Sequence, residues 1–293
     1  MRKVPPSLVL PGHPDHVFLD RLAREIAGRL GTRPADAFVG AVIEAIEFVL
    51  DPIRTGRTTL SELDNVEKTF IGLKIEHFVR DLLDAPKGVR DLTLLDHDVD
   101  IKNTVSRSWS WMIPPETYRD EEPVILLAAD EDERKSWMGL MVAREAYLGA
   151  PNRDGKRGVL SSAYANILWL ASGVAWPPNR WAGLDMKRFR ELRQIKIGRR
   201  RAAMFFLEND RRITHRTVLA ALLFDQKDPM KRLRANGGAP DVLRPLGVAL
   251  LSGRYDAPLA RKLGFQLATD DFVAVKPRSD EELNLLRNAG DLD

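Results

Sequence analysis

Apolar residues recur at helical spacing along HVFLDRLAREIAGRL, from His16 to Leu30, and again along ADAFVGAVIEAIEFVL, from Ala35 to Leu50. This predicts two helices, the first stopped at Gly31 and the second entered through a turn at Pro34. After a basic connector, RTGRTT, Ser61 and Asp64 offer starts for a third helix. In it Ile71, Ile75, Phe78, Val79 and Leu82 form one stripe. Glu76 stands at the margin of that stripe, where a carboxylate can lean into a cleft instead of solvent. The short runs DLTLLD, HDVDIKN, PVILLAAD and SWMGLMVARE then read as successive strands, and YANILWLAS as a short helix. Helices followed by a mixed sheet predict an α/β core over residues 10–176. VAWPPNRWAGL, with two prolines and two tryptophans, reads as a linker that packs on something.

The pattern changes beyond the linker. Residues 183–293 are expected to form a second, mainly α domain that opens with one long basic helix from Met186 to Phe206. THRTVLAALLF follows as a short helix with a Thr start. DPMKRLRANGG reads as another, with Asp228 as cap, Pro229 in the first position and Asn236-Gly237-Gly238 as the stop. Two short helices and the strand-like GVALLSG and FVAVKP suggest a winged helix-turn-helix. Lys231, Arg232, Arg234 and Asn236 are residue types that contact phosphates and base edges.

One strand carries chemistry. In LLDHDVDIKNT, a period of two puts Val99 and Ile101 on one face and Asp98, Asp100 and Lys102 on the other. Carboxylates crowded on one face repel unless a cation sits between them, and a divalent metal is such a cation. An acid two residues before a lysine occurs five times here: Asp100/Lys102, Glu133/Lys135, Asp154/Lys156, Asp185/Lys187 and Asp225/Lys227. The first copy alone lies on an alternating strand with more acids beside it.

Composition narrows the class. Cysteine is absent, which excludes disulfides, thiolate metal sites and a cysteine nucleophile. The five histidines show no zinc spacing. No apolar run is long enough to span a bilayer, and the N-terminus does not read as a secretory signal, so a soluble cytoplasmic protein is expected. The net charge of +3 is uneven: residues 183–278 hold 21 Lys and Arg against 10 Asp and Glu, a net +11. That is the footprint of a polyanion-binding module.

The blocks RTGR (54–57), EKTFIGLKIE (67–76), HDVDIKNT (97–104), SWMIPPE (110–116), NRDGKR (152–157), DPMKRLRANGGA and VLRPLGVALLSG resemble, in order, those of NaeI-type restriction endonucleases. That family is a branch of the PD-(D/E)xK nuclease superfamily. The resemblance implies a restriction-endonuclease-like domain, a mixed sheet flanked by helices, followed by a helix-turn-helix domain similar to that of the catabolite activator protein. It places the catalytic set on Glu76, Asp91, Asp100 and Lys102, with Glu76, Asp91, Asp100 and the Ile101 carbonyl as ligands of Mg²⁺. Arg90 stands where the superfamily has its proline, which leaves Asp96 and Asp98 as alternatives to Asp91. Asn103, Arg107 and the turn Asn152, Arg153, Asp154 are expected beside the cleaved strand. In the second domain Lys231, Arg232, Arg234, Asn236 and Arg244 are expected on DNA. The resemblance further implies that a second DNA copy stimulates cleavage. A homodimer is expected because a symmetric site is matched most simply by a two-fold protein. A methyltransferase is the expected genetic partner.

Two other classes fit part of the pattern. A non-catalytic regulator explains the basic helices but not the acidic set. The second is a PD-(D/E)xK nuclease for repair or mobile-element transposition; on plasmids with Mg²⁺, discrete bands would support restriction and nicks would support repair.

Overall fold

In the computed structural model, which describes residues 4–105 and 108–292, the first long helices form where periodicity places them. Helix α1 (His16–Leu30) buries Leu19, Leu22, Ile26 and Leu30 and stops at Gly31 with φ 80°. Helix α2 (Pro34–Leu50) takes its proline at the first helical position, where no N–H is missed. A single turn, α3 (Pro52–Thr55), precedes α4 (Asn65–Leu82). The start of α4 is settled at Asp64. Its carboxylate accepts the Glu67 N–H at 2.8 Å, while the Glu67 carboxylate accepts the Asp64 N–H at 3.1 Å, so two donors at the helix end are satisfied reciprocally.

The strands that follow are β1 (Leu92–Leu94), β2 (His97–Thr104) and β3 (Met112–Ile113), then, after helix α5 (Pro115–Arg119), β4 (Pro123–Asp130), β5 (Lys135–Val142), β6 (Leu148–Pro151), β7 (Arg157–Val159) and β8 (Leu168–Ala175). Five of them form one sheet in the order β1-β2-β4-β5-β8. The β2–β4 pair is parallel and the others antiparallel. Strand β4 is buried on both faces, and its residues alternate between two cores. Ile125, Leu127 and Ala129 join the helices α1, α2 and α4. Val124, Leu126 and Ala128 join Trp109, Trp111, Trp137 and Tyr164, beside the small sheet β3-β7-β6.

YANILWLAS, expected as a helix, is instead a 3-10 turn (Ser161–Asn166) running into strand β8. A short apolar run has no period that separates helix from strand. Pairing of β8 with β5 decides it, from Leu140–Leu168 to Lys135–Ala175.

The chain divides into two compact units: residues up to Asp51 with Thr59–Pro177, and Pro52–Thr58 with the chain from Pro178 onward. Part of the basic connector thus lies with the second unit, where Ile53 packs on the core. The tryptophans of the proline-rich segment go to different cores. Trp176 packs in the first and donates its Nε1–H to Ser136 at 2.7 Å, whereas Trp181 is buried in the second.

The second unit contains α6 (Met186–Arg193), α7 (Gly198–Glu208), β9 (Thr214–His215), α8 (Arg216–Leu222), α9 (Pro240–Leu243), β10 (Ala249–Ser252), α10 (Ala257–Lys262), β11 (Asp271–Val275) and α11 (Asp280–Asn288). Its strands make an antiparallel sheet in the order β10-β11-β9. The stretch expected as one helix from Met186 to Phe206 is two, broken at residues 194–197. The buried Arg201 donates to the Ile195 carbonyl from Nε at 2.8 Å and from Nη2 at 2.6 Å, so the break is satisfied from within the second helix.

DPMKRLRANGG is capped as expected, since Asp228 accepts the N–H groups of Met230 and Lys231 at 3.1 and 3.2 Å. The element it starts is a 3-10 turn, Pro229–Leu233, and not an α-helix. Asn236 (φ 65°) and Gly237 (φ 108°) are left-handed, and their N–H groups are accepted by Asp241 at 3.2 and 2.5 Å. The chain is thereby turned into α9.

Candidate active site

The β1–β2 hairpin is closed by two residues, Leu95 and Asp96, both left-handed (φ 51° and 63°). This is the backbone that matches the twist of adjacent strands. Register then sets the site. Strand β1 pairs with β2 only from Leu94–His97 to Leu92–Val99, so beyond Val99 that edge of β2 is open. The N–H and C=O of one strand residue point to the same side, and at Ile101 that side is the open edge. Asp91, the residue before β1, accepts the Ile101 N–H at 2.6 Å. The Ile101 carbonyl is left facing the same space.

Of the three acids that could supply the first aspartate, geometry brings Asp91 to Lys102, 3.9 Å from Oδ2 to Nζ. Asp98 is instead spent on the hairpin, accepting the Arg90 N–H at 3.1 Å on both oxygens. Asp96 is exposed in the turn. Arg90 holds the loop by its side chain: Nε donates to Glu122 at 2.8 Å and Nη2 to the Glu116 carbonyl at 3.1 Å.

Asp100 is 3% exposed. Its Oδ2 accepts the Thr117 hydroxyl at 3.0 Å, and its Oδ1 is in close contact with the Lys102 ammonium. Lys102 also donates to the Ile101 carbonyl at 3.0 Å. The ammonium therefore sits against Asp91, Asp100 and the Ile101 carbonyl. A cation already stands among three of the oxygen donors that the family resemblance implies for a metal. Glu76, from α4, completes the group. Burial pushes its carboxyl up to about 7, against the attraction of Lys102 and with the repulsion of Asp91 and Asp100; the Asn103 N–H favours the ionised form. Burial also raises the Asp100 carboxyl, opposed by Lys102 and reinforced by Asp91.

Among the described residues, no three His, Cys, Asp or Glu side chains meet the spacing of a preformed metal site. The donor chemistry nevertheless fits a hard cation, since all four groups offer oxygen. The ammonium, a cation seated on three of them, marks a place where positive charge is held.

The other expected site residues are dispersed. Asn103 is half-buried beside α4, with Nδ2 3.5 Å from where a Cβ on Gly72 would stand and Oδ1 buried without a hydrogen bond. Arg107 lies outside the described residues. Asn152 turns its side chain inward, accepting the N–H groups of Asp154 and Lys156 at 3.0 and 2.9 Å, while Arg153 and Asp154 are exposed at the tip of the β6–β7 hairpin. Trp109 and Trp111 are core aromatics, the second donating to the Leu127 carbonyl at 2.7 Å. His97 is exposed with its ring edge-on to Phe18.

In the second unit Lys231, Arg234 and Asn236 are exposed. Arg232 is half-buried and donates to Gln226 at 2.7 Å, and Arg244 lies 3.9 Å from Asp291. Arg234 and Arg244 border a cavity of about 440 Å³ that Arg216 and Arg254 also line. Three of the other four Asp/Glu-x-Lys copies have local duties: Glu133 pairs Lys135 at 3.8 Å, Asp185 caps α6, and Asp225 holds Arg201. Thr117 carries no signal in the sequence, because its partner lies 17 residues away on another element.

A mixed sheet whose open strand presents Asp-x-Lys beside a helix-borne glutamate defines a nuclease-like α/β fold. The model of the restriction endonuclease NaeI family matches residues 30–283, and the chain belongs to that family. It is 27% identical to the type II restriction enzyme NaeI of Lentzea aerocolonigenes over 244 residues, 78% of this chain and 74% of that enzyme. The protein is accordingly a type II restriction endonuclease, a hydrolase that acts on DNA. Among the described residues no helix is long and apolar enough to cross a membrane.

Proposed function

We propose that the first unit hydrolyses phosphodiester bonds in double-stranded DNA with Mg²⁺ as cofactor, using Glu76, Asp91, Asp100 and Lys102. The observation that carries this is the convergence of three carboxylates and the Ile101 carbonyl on one lysine at the open edge of β2. Asp91, Asp100 and the Ile101 carbonyl would hold the metal, with Glu76 completing the set. When bound, Mg²⁺ supplies charge neutralisation at the phosphate and lowers the pKa of water.

Lys102 has the remaining work. Once its ammonium leaves the carboxylates, it orients the attacking water by a hydrogen bond and offsets the negative charge that develops in the transition state. Asp91 keeps the Ile101 peptide in place through its N–H, so the neighbouring carbonyl stays aimed into the site.

For the second unit, a winged helix-turn-helix is the reading favoured by the order α7, β9, α8, α9, β10, α10, β11, with a small antiparallel sheet formed by its three strands. A 3-10 turn stands in place of the expected second α-helix. Lys231, Arg232, Arg234, Asn236 and Arg244 would bind a second DNA copy that stimulates cleavage, and Arg153 with its turn would lie near the cut strand. A homodimer would cut both strands, and a methyltransferase would protect the host sequence.

The test is a digest of plasmids of known sequence with Mg²⁺. Wild type should give discrete fragments. Lys102→Ala and Asp100→Asn should give none while still shifting DNA, because affinity rests mainly on basic residues elsewhere. Cleavage by either variant at near wild-type rate would remove these residues from the active site.

A further inference from the structure

Helix α5 is short, but it places one hydroxyl against the buried acid of the site. Thr117 is 0% exposed and Asp100 is 3% exposed. The Thr117 Oγ1–H donates to Asp100 Oδ2 at 3.0 Å. A threonine buried this deeply has one hydroxyl proton to give, and here it is given to the carboxylate. The opposite oxygen, Oδ1, is the one that faces Lys102. The two oxygens of Asp100 are thus divided between a protein donor behind the site and a cation in front of it.

Backbone and side-chain bonds fix the hydroxyl in turn. The Thr117 N–H donates to the Pro114 carbonyl at 3.1 Å, and the Thr117 carbonyl accepts the Glu122 N–H at 3.0 Å. Arg90, the residue next to Asp91, grips the same segment through the Glu116 carbonyl and the Glu122 carboxylate. Asp91 and Asp100 are therefore oriented by one piece of chain, residues 114–122, that itself supplies none of the four catalytic groups. We infer that Thr117 is a positioning residue: its hydroxyl locks the Asp100 carboxylate so that a single oxygen, Oδ1, is presented to the metal.

The inference rests on the active-site reading above. Without the hydroxyl the carboxylate is free to rotate, and Oδ2 loses its donor in a buried setting. Partners that orient a metal ligand are typically worth 10- to 100-fold in metal affinity or activity.

Thr117→Val keeps the shape and removes the hydroxyl, whereas Thr117→Ser keeps the hydroxyl and removes a methyl group. On the full-length protein, Mg²⁺ is titrated in a cleavage assay. In parallel, Ca²⁺ and Mn²⁺ are titrated against the thermal unfolding midpoint without DNA, a readout independent of turnover. Val should raise the half-saturating metal concentration about tenfold or more in both assays and leave DNA affinity in EDTA unchanged. Ser should stay within about twofold of wild type. Should Val unfold at the assay temperature, Thr117→Ala is read by the same criteria.

Metal dependence within twofold of wild type for Val or Ala would overturn the inference. So would a Ser variant as impaired as Val, since packing of the methyl group would then be the cause. Asp100→Asn run alongside separates the two levels. If it is inactive while Val behaves as wild type, only the role of Thr117 falls; if it cuts normally, the active-site reading falls first.

Discussion

Replacing Glu76 by Gln should stabilise the metal-free protein, by an amount that depends on pH. Glu76 is drawn from its ordinary value of 4.5 up to about 7 by burial and by Asp91 and Asp100, so the folded state holds its proton more tightly than the unfolded chain. For a carboxyl shifted in this direction the sign is fixed. Below about pH 4.5 both states are protonated and there is no cost. As pH rises the unfolded state ionises first, and by about pH 7 the full penalty on the fold is in place. At about 1.4 kcal/mol for each pH unit between the two values, fully ionised Glu76 destabilises the fold by about 3.5 kcal/mol.

Gln is neutral, nearly isosteric, and still accepts the Asn103 N–H. Urea unfolding in EDTA at pH 5 and pH 8 reads the difference. The variant should be the more stable by about 1 kcal/mol or less at pH 5, and by about 3 kcal/mol at pH 8. It should also fail to cut, since the charge that strains the fold is the one proposed to complete the metal site. A stability difference that is the same at both pH values, or a variant less stable at pH 8, would refute the reasoning.

Three further outcomes are expected. Calcium should support DNA binding without turnover, because it is larger and tolerates looser geometry than Mg²⁺; gel shifts and digests with each ion check this, and efficient cutting in EDTA would exclude the metal mechanism. Changing Lys231, Arg232 and Arg234 together to Ala should slow cleavage of single-site DNA and remove any acceleration by an added site-bearing oligonucleotide, since coupling vanishes with one of its sites. Normal rates and a retained response would make this basic segment a solvated face. Arg201→Met should lower the unfolding midpoint of the second unit. It removes the donor to the Ile195 and Leu222 carbonyls and the ion pair with the exposed Asp225, a cost of about 1–3 kcal/mol that falls mainly on the carbonyls left without a donor; an unchanged calorimetric transition would contradict it.

The sequence alone determined the elements whose signals are local. Helices α1, α2 and α4 were legible because their apolar spacing, their stops and the acid at Asp64 all act within a few residues. Asp100 and Lys102 were placed on one face, opposite Ile101, by the period of a strand. The tertiary structure decided what depends on partners distant in the chain. Pairing with β5 made β8 a strand, where the apolar run ILWLAS had no helical or strand period of its own. The bonds from Arg201 to Ile195 satisfied a break that basic and apolar spacing did not mark. Asp91 was separated from Asp96 and Asp98 by where β1 stops along β2, a matter of register. Thr117 reached Asp100 because α5 folds back over the sheet, and no residue near it in the chain foretells that contact. Periodicity is a property of neighbours, whereas a hydrogen bond across 17 residues exists only once the core between them is packed.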